Sequence, residues 1–154
     1  MGSANQPGQL QPLIRTATPD DAPAIAHLLD VLGYACSDIE AGERIAALAE
    51  DLDQRLLVAD LHGGVVGLIC YDLMYYLPLG VRTCRITALS VSTDCQGRGI
   101  GRQLLREAET RAREAGAARI ELTSAQHRVE AHAFYRACGY GESALRFLKR
   151  LGDA

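Results

Sequence analysis

Glycine and arginine are concentrated in one short segment, residues 95–102 (C-Q-G-R-G-I-G-R). The segment follows a β-rich run, Arg82 to Val91, and precedes an amphipathic stretch, so it predicts a loop between a strand and a helix. Glycines let the backbone approach an anion without interference from Cβ. The N–H groups in the first turn of a helix lack intrahelical partners and favour negative charge. We therefore predict a phosphate-binding loop whose ligand carries a pyrophosphate.

Two common classes of phosphate loop do not fit this spacing. A P-loop requires G-x-x-x-x-G-K-[ST], and the sequence has no lysine followed by Ser or Thr. A dinucleotide-binding loop requires G-x-G-x-x-G near the start of a βαβ unit, but the third glycine is missing whether the count starts at Gly97 or Gly99. The pattern that remains is Q-x-x-G-x-G, formed by Gln96, Gly99 and Gly101.

Further motifs flank this loop in a fixed order. Leu89-Ser90-Val91 forms an apolar strand end before it. After it, Gly116 ends the predicted helix, residues 119–124 (R-I-E-L-T-S) read as a strand, and residues 131–140 (A-H-A-F-Y-R-A-C-G-Y) follow. Together with the loop, these motifs resemble those of the GCN5-related N-acetyltransferase (GNAT) superfamily, from about Leu13 to Leu151.

The resemblance implies an α/β fold with a mixed, mostly antiparallel twisted sheet, splayed central parallel strands and about four helices. It implies an acetyl-CoA-dependent N-acetyltransferase, which acts on the primary amine of a small molecule by direct attack in a ternary complex. Two alternatives stay open: a non-catalytic coenzyme A binding or sensor module, and an acetyltransferase of protein lysines or N-termini. The ending T-S-x-x-x-R-x-x-A-H-x-F-Y is similar to aminoalkylphosphonate N-acetyltransferases, with aminoglycoside and amino-acid acetyltransferases close behind.

The resemblance also implies roles for individual residues. Tyr135 matches the tyrosine that protonates the leaving sulfur, and we expect it to be the general acid. The backbone N–H of Val91 is expected to bind the thioester carbonyl. The residues expected to bind the cofactor are Leu89, Ser90, Val91, Gln96, Gly97, Arg98, Gly99, Ile100, Gly101, Arg102, Arg128 and Tyr135.

The sequence departs from the superfamily pattern in two places. Thr87 stands where many relatives carry a glutamate base, so Asp72, His127 and His132 are candidate substitutes and a chain of water is the default. Arg128 stands where an asparagine is common, and its guanidinium could bind a phosphate or an anionic substrate, or pair with Glu130 or Glu121. For the acceptor, acidic and aromatic groups would suit a small cation. The expected acceptor-binding residues are Tyr34, Asp72 and Tyr75.

The remaining elements are predicted from periodicity, caps and turns. Helical spacing predicts one helix that follows a cap at Thr18 and ends at Gly33, and a second behind a capping box of Ser37 and Glu40. Residues 62–64 (H-G-G) predict a hairpin, and residues 78–80 (P-L-G) a turn into a third strand. The ranges expected are strands Leu13–Arg15, Arg55–Leu61, Val65–Tyr76, Arg82–Val91, Arg119–Thr123 and Ala144–Lys149, and a last helix Val129–Cys138.

Length and composition limit the class of protein. A chain of 154 residues, 48% hydrophobic and 23% charged, predicts one domain over residues 12–154 behind a disordered tail of residues 1–11. The net charge of −3 gives no electrostatic argument for nucleic acid or an anionic membrane, and no apolar run reaches the ~20 residues of a membrane span. Five cysteines without C-x-x-C spacing favour a cytoplasmic protein without a metal site. The resemblance adds a homodimer as an expectation.

Overall fold

The computed structural model describes residues 10–124, 126 and 128–152. The strands of this part of the chain are β1 (Leu13–Thr16), β2 (Gln54–Leu61), β3 (Gly64–Tyr76), β4 (Val81–Val91) and β5 (Ala117–Leu122). Its α-helices are α1 (Ala22–Val31), α2 (Asp38–Ala49), α3 (Ile100–Glu114) and α4 (Val129–Ala137), and short 3-10 helices span Pro19–Asp21 and Thr93–Cys95. A first compact unit ends at Leu122, and a second one, which contains α4, begins at Thr123.

The described strands form one sheet in the order β1-β2-β3-β4-β5. The first four are antiparallel neighbours, whereas β4 and β5 run parallel. This confirms the predicted mixed, mostly antiparallel α/β layout. The parallel pairing stops at Ile86 and Leu122, although β4 continues to Val91. The last part of β4 therefore extends beyond the end of β5.

The hairpin between β2 and β3 shows how local chemistry fixes the register. Its two turn residues have positive φ, 53° at His62 and 89° at Gly63, which is the conformation that a tight two-residue hairpin requires. The predicted hairpin is thus confirmed, with Gly64 already in β3.

The helices of the first unit cover both faces of the sheet. Leu28 of α1 and Ile45 of α2 are buried in one cluster with Leu68 and Cys70 of β3. Gly67, the neighbour of Leu68 in β3, contacts α3, and successive strand residues point to opposite faces. We call the face that carries Leu68 and Cys70 the α1 face, and the face that carries Gly67 the α3 face.

Both predicted helix caps are present. The Ser37–Glu40 capping box is confirmed, because the Glu40 N–H donates to Ser37 Oγ at 3.1 Å and the Ser37 N–H donates to Glu40 Oε1 at 3.3 Å. The cap at Thr18 is confirmed as well, because Thr18 is the N-cap of the 3-10 helix Pro19–Asp21 and a proline follows it in the first turn. The carboxylate of Asp21 accepts the Thr18 N–H at 2.7 Å, and the Thr18 hydroxyl donates to the same carboxylate at 3.3 Å. The carboxylate, a strong acceptor, thus completes the cap from the third helical position.

The predicted strand over Ala144–Lys149 is wrong. Residues 141–152 contain no helix or strand, and Leu145 and Phe147 are 76% and 91% exposed. An alternating pattern of apolar residues is not sufficient for a strand, because the backbone also needs a neighbouring strand to hydrogen-bond with. In the part of the chain that the structure describes, these residues have no ladder partner. The predicted helix Val129–Cys138 is confirmed as α4.

No helix in the described ranges combines the length and hydrophobicity that crossing a bilayer requires. All five cysteines carry free thiols. Burial raises the pKa of Cys70, and it raises the pKa of Cys84 to about 11. These two thiols are therefore poor nucleophiles at neutral pH. The predicted domain limits and tail stay predictions, and residues 1–9 of that tail lie outside the described residues.

Candidate active site

The glycine-rich loop places left-handed backbone immediately before α3. Gly97 has φ of 74°, and Gly99, the N-cap of α3, has φ of 87°, values that L side chains rarely adopt. Because α3 begins at Ile100, the N–H groups of Ile100, Gly101 and Arg102 lie in its first turn and have no intrahelical acceptor. A Cβ at Gly97 would meet nothing within 4 Å. The loop therefore offers exposed backbone donors at the positive end of a helix dipole.

Three hydrogen bonds tie this loop and the start of α3 to their neighbours. The Gln96 side chain donates to the carbonyl of Val91 at 3.0 Å, which ties the loop to the end of β4. The Leu10 N–H donates to the Arg98 carbonyl at 3.1 Å, and Gln103 Nε2 donates to the Leu10 carbonyl at 2.7 Å. Leu10 is thus held between the loop and α3. The sequence contained no local signal for this contact, since Leu10 and Gln103 are 93 positions apart.

The N-terminal end of α3 also packs closely on β3. A Cβ built on Gly67 would lie 3.0 Å from Leu104 Cδ1 and 3.2 Å from Ile100 Cγ2. Both distances are shorter than ordinary van der Waals contact, so glycine at position 67 lets the helix reach the sheet. This residue was missed in the sequence, where an isolated glycine within a strand signals a close approach.

The end of β4 presents backbone donors on the side where β5 has stopped. The Ser92 N–H donates to the Val66 carbonyl at 2.8 Å, which makes Gly67 and Val91 a non-hydrogen-bonded pair of the antiparallel ladder. The Val91 N–H therefore points away from β3. A register shift opposite Cys70 and Tyr71 leaves Thr87 as an extra residue in β4, and the pairing with β5 ends one residue before it. Of the other two strand-end residues, Ser90 is buried and its hydroxyl donates to the Leu28 carbonyl at 2.7 Å.

The predicted acceptor residues are not all on one face. Asp72 lies on the α1 face, half-buried, directly opposite Arg85 of β4. Tyr75, three positions later, lies on the α3 face by strand alternation and is 65% exposed. Tyr34 follows α1, is 66% exposed, and its N–H donates to the Leu29 carbonyl at 2.8 Å.

Tyr135 belongs to the second compact unit, where it lies on α4 between two aromatic neighbours. Its ring centroid is 5.4 Å from that of Phe134 and 6.2 Å from that of Tyr140. Burial raises the pKa of Tyr135 above its ordinary value of 10, and the positive charge of Arg128 opposes that rise in part. The phenol is therefore protonated at neutral pH and able to donate. Arg128 precedes α4 and is exposed, and His132 lies on α4, while His127 is outside the described residues.

Comparisons with known proteins agree with this geometry. A family model described as the acetyltransferase (GNAT) family matches residues 22–140. The chain is 34% identical over 139 residues to an aminoalkylphosphonate N-acetyltransferase of Salmonella typhimurium, covering 90% of both chains. It is 33% identical over 135 residues to an aminoglycoside N(6')-acetyltransferase type 1 of Stenotrophomonas maltophilia, covering 86% of this chain and 88% of that one.

A solved structure from Bacillus halodurans, described as a transcriptional regulator, superimposes with a TM-score of 0.83 at 28% identity. The superposition covers 92% of this chain and 100% of that one. The fold predicted from the resemblance is therefore shared by a solved structure over nearly the whole chain.

Proposed function

We propose, since the chain belongs to the acetyltransferase (GNAT) family, that it transfers the acetyl group of acetyl-CoA to the primary amine of a small molecule by direct attack in a ternary complex. One observation carries the proposal. The glycine loop opens α3 directly after the strand end at Val91, whose N–H points away from β3 beyond the end of β5. Donors for a pyrophosphate and for an acyl carbonyl thus lie on consecutive segments.

The loop and β4 would hold the acetyl donor. When bound, acetyl-CoA supplies an acetyl group activated as a thioester. The backbone N–H groups of the first turn of α3, with the guanidinium groups of Arg98 and Arg102, would bind the pyrophosphate. Gln96 would act by positioning, because its side chain holds the loop against β4. The full set proposed to bind or position the donor is Leu89, Ser90, Val91, Gln96, Gly97, Arg98, Gly99, Ile100, Gly101, Arg102, Arg128 and Tyr135.

Two groups of the chain would assist transfer. The Val91 N–H would donate to the carbonyl oxygen, where charge develops on attack, and such a donor is worth about 3 kcal/mol. Tyr135 would protonate the departing sulfur, and its raised pKa keeps the phenol protonated at neutral pH. Since Thr87 takes the place of the glutamate common in relatives, we assign removal of the amine proton to water and not to a single carboxylate.

The acceptor would be a small amine. The support is the identity of 34% and 33% to two enzymes whose names specify small-molecule acceptors. Tyr34 and Asp72 remain the proposed acceptor-binding residues, with Asp72 supplying the charge that an ammonium group needs, whereas Tyr75 lies on the face of the sheet opposite Asp72. We further propose a cytoplasmic homodimer. The five free thiols support the cytoplasmic location. The exposed apolar side chains of Leu145, Phe147 and Leu151 support the homodimer.

A second candidate is a module that binds coenzyme A without transferring acetyl. The likeness to a solved structure described as a transcriptional regulator favours it, because that protein is named for regulation and not for catalysis. The retention of Tyr135 favours the enzyme. A third candidate is transfer to protein lysines or N-termini. None of the site residues described above favours it over transfer to a small molecule.

Calorimetry with acetyl-CoA, followed by thiol release across a panel of amines and peptides, tests the proposal. We expect micromolar binding and turnover with small amines. The Gly99→Ala variant should bind acetyl-CoA at least about tenfold more weakly, because its strained φ of 87° must relax within the loop. Gly116→Ala is the matched control, since φ there is 84° and the residue lies at the other end of α3. Binding without turnover on any amine would favour the module, and no binding would overturn both.

A further inference from the structure

The main chain at Leu10 joins the glycine-rich loop to α3. The Leu10 N–H donates to the Arg98 carbonyl at 3.1 Å, and the Leu10 carbonyl accepts a hydrogen bond from Gln103 Nε2 at 2.7 Å. One residue thus uses both of its backbone groups, one on the loop and one on the helix. Leu10 lies three positions before β1, so these bonds are separate from the sheet. We call Leu10 and Gln103 the loop clasp.

The helix side of the loop clasp is rigid. The Gln103 N–H donates to the Gly99 carbonyl at 3.1 Å, which closes the first turn of α3. The next residue, Leu104, is buried and packs closely on Gly67 of β3. Leu10 and Gln103 are both half-buried, so water competes less for their hydrogen bond than it would at an open surface. Gln103 can therefore hold Leu10 in place from a fixed backbone.

The loop side needs such support, because two of its residues are glycines in a left-handed conformation. Gly97 and Gly99 have φ of 74° and 87°. Glycine has the widest choice of φ and ψ, so ordering it costs more conformational entropy than ordering any other residue. The bond from Gln96 to the Val91 carbonyl holds one end of the loop. The bond from Leu10 holds the other end, at the peptide unit between Arg98 and Gly99.

The Leu10 bond determines which way this peptide unit faces. The unit is trans, and in a trans peptide the C=O and N–H groups point in opposite directions. Since the Arg98 carbonyl points to Leu10, the Gly99 N–H points away from Leu10. That N–H directly precedes the unpaired N–H groups of the first turn of α3. A flipped unit would place a carbonyl oxygen among these donors, and its partial negative charge would repel an anion.

We propose that Leu10 and Gln103 are positioning residues of the acetyl-CoA site: Gln103 holds the Leu10 main chain, and Leu10 keeps the Gly99 N–H turned toward the pyrophosphate. This inference rests on the proposed function and adds to its donor site a segment that precedes the first strand. The loop clasp acts through the loop and not by contact with the donor. Its loss should therefore weaken donor binding and leave the chemical step intact.

Calorimetric Kd values for acetyl-CoA in Gln103→Met, Leu10→Pro and the double variant test the proposal. Methionine matches glutamine in length and helix propensity but cannot donate, and proline removes the Leu10 N–H. Each single variant should raise the Kd about three- to tenfold, the effect of one lost hydrogen bond. Because Gln103 acts through Leu10, the double variant should bind within about twofold of the weaker single variant. Effects that multiply, or an unchanged Kd in both single variants, would overturn the loop clasp.

Turnover separates positioning of the loop from support of the fold. S-acetylpantetheine carries the same thioester without the pyrophosphate. Gln103→Met should raise KM for acetyl-CoA about three- to tenfold, keep kcat within about twofold, and leave kcat/KM for S-acetylpantetheine unchanged. Thr110→Met is the matched control, because it places the same side chain at an exposed position of α3 and should change none of these values.

The outcomes distinguish this inference from the proposed function. An equal loss with both donors in Gln103→Met would show that Gln103 supports the fold, and would overturn the loop clasp. If the truncated donor is not turned over, the Kd values of the single and double variants decide the matter alone. Wild-type protein that binds acetyl-CoA without transfer to any amine would overturn the proposed function and leave the loop clasp to be judged by those Kd values. Wild-type protein that does not bind acetyl-CoA would overturn both.

Discussion

At the scale of single residues, the proton balance of the proposed transfer depends on one half-buried phenol, that of Tyr135. A departing thiolate has an ordinary pKa near 8.5 and the pKa of Tyr135 is raised above 10, so this proton transfer is uphill by about 2 kcal/mol or more and requires the phenol to be held close. Tyr135→Phe removes only the hydroxyl and keeps the ring that contacts Phe134 and Tyr140. We expect kcat to fall about a hundredfold or more, as general acid catalysis typically contributes, while the calorimetric Kd for acetyl-CoA changes less than threefold.

The pH dependence and a matched variant check this assignment. Burial keeps the folded pKa of Tyr135 above 10, so the acid stays protonated and kcat should not fall between pH 7 and 9.5 on its account. Tyr140→Phe is the control, because it removes a hydroxyl from the neighbouring ring and keeps the phenol of Tyr135. An unchanged kcat in Tyr135→Phe, or an equal loss in Tyr140→Phe, would remove the acid role.

The residues of the loop show what a sequence motif can and cannot predict. The left-handed φ at Gly97 and Gly99 and the start of α3 follow from the glycine spacing, which is local information. The Gln96 side chain was expected at the cofactor, and the structure gives its hydrogen bond to Val91. The bond from Gln103 to Leu10 had no sequence signal, because only the folded chain brings these residues together.

At the scale of elements, α3 and β3 depend on the absence of a side chain at Gly67. Gly67→Ala would place a methyl group 3.0 Å from Leu104 and 3.2 Å from Ile100, the first residue of α3. We expect the free energy of unfolding to fall by about 1–3 kcal/mol, which is the usual effect of overpacking. Since Ile100 follows the glycine loop, the Kd for acetyl-CoA should rise as well. Chemical denaturation and calorimetry measure the two effects.

A second glycine gives the opposite expectation with the same substitution. Gly42 lies inside α2, and a Cβ there would be 3.8 Å from Ala22, an ordinary contact. Gly42→Ala should therefore stabilise the protein by about 0.5–1 kcal/mol through helix propensity, without changing the Kd. If Gly67→Ala and Gly42→Ala changed the free energy of unfolding in the same direction, close packing at Gly67 would not explain the effect of Gly67→Ala.

The elements that were predicted correctly are those with complete local signals. The hairpin has its two-residue turn, α2 has its capping box, and α3 has an apolar stripe in which Leu104, Leu105 and Ala108 are buried. The final strand was wrong because strand pairing is a property of two segments. The extra residue at Thr87 and the early end of the β4–β5 ladder were also beyond the sequence, since both depend on register between strands.

At the scale of the whole molecule, stability in acid depends on one buried carboxylate. Arg15 of β1 donates to both carboxylate oxygens of Asp21, at 2.8 Å and 2.9 Å, and its Nε donates to Asp60 of β2 at 3.2 Å. Asp21 also accepts the Thr18 N–H and is only 7% exposed. This network joins the first two strands to the start of α1. A carboxylate in such a setting stabilises the fold only while it is ionised.

The hydrogen bonds from Arg15 lower the folded pKa of Asp21 below its ordinary value of 3.8, against the opposing effect of burial. Its contribution to stability is therefore complete above about pH 4 and is lost as the pH falls through the lower, folded pKa. We expect Asp21→Asn to lower the free energy of unfolding by about 2 kcal/mol at pH 7, because charged hydrogen bonds are lost. The difference in unfolding free energy between this variant and wild type should narrow between pH 4 and 2. Denaturation curves across that range, with the exposed Asp30→Asn as control, measure it. A gap that stays constant down to pH 2 would show that Asp21 stabilises the junction by its shape and not by its charge.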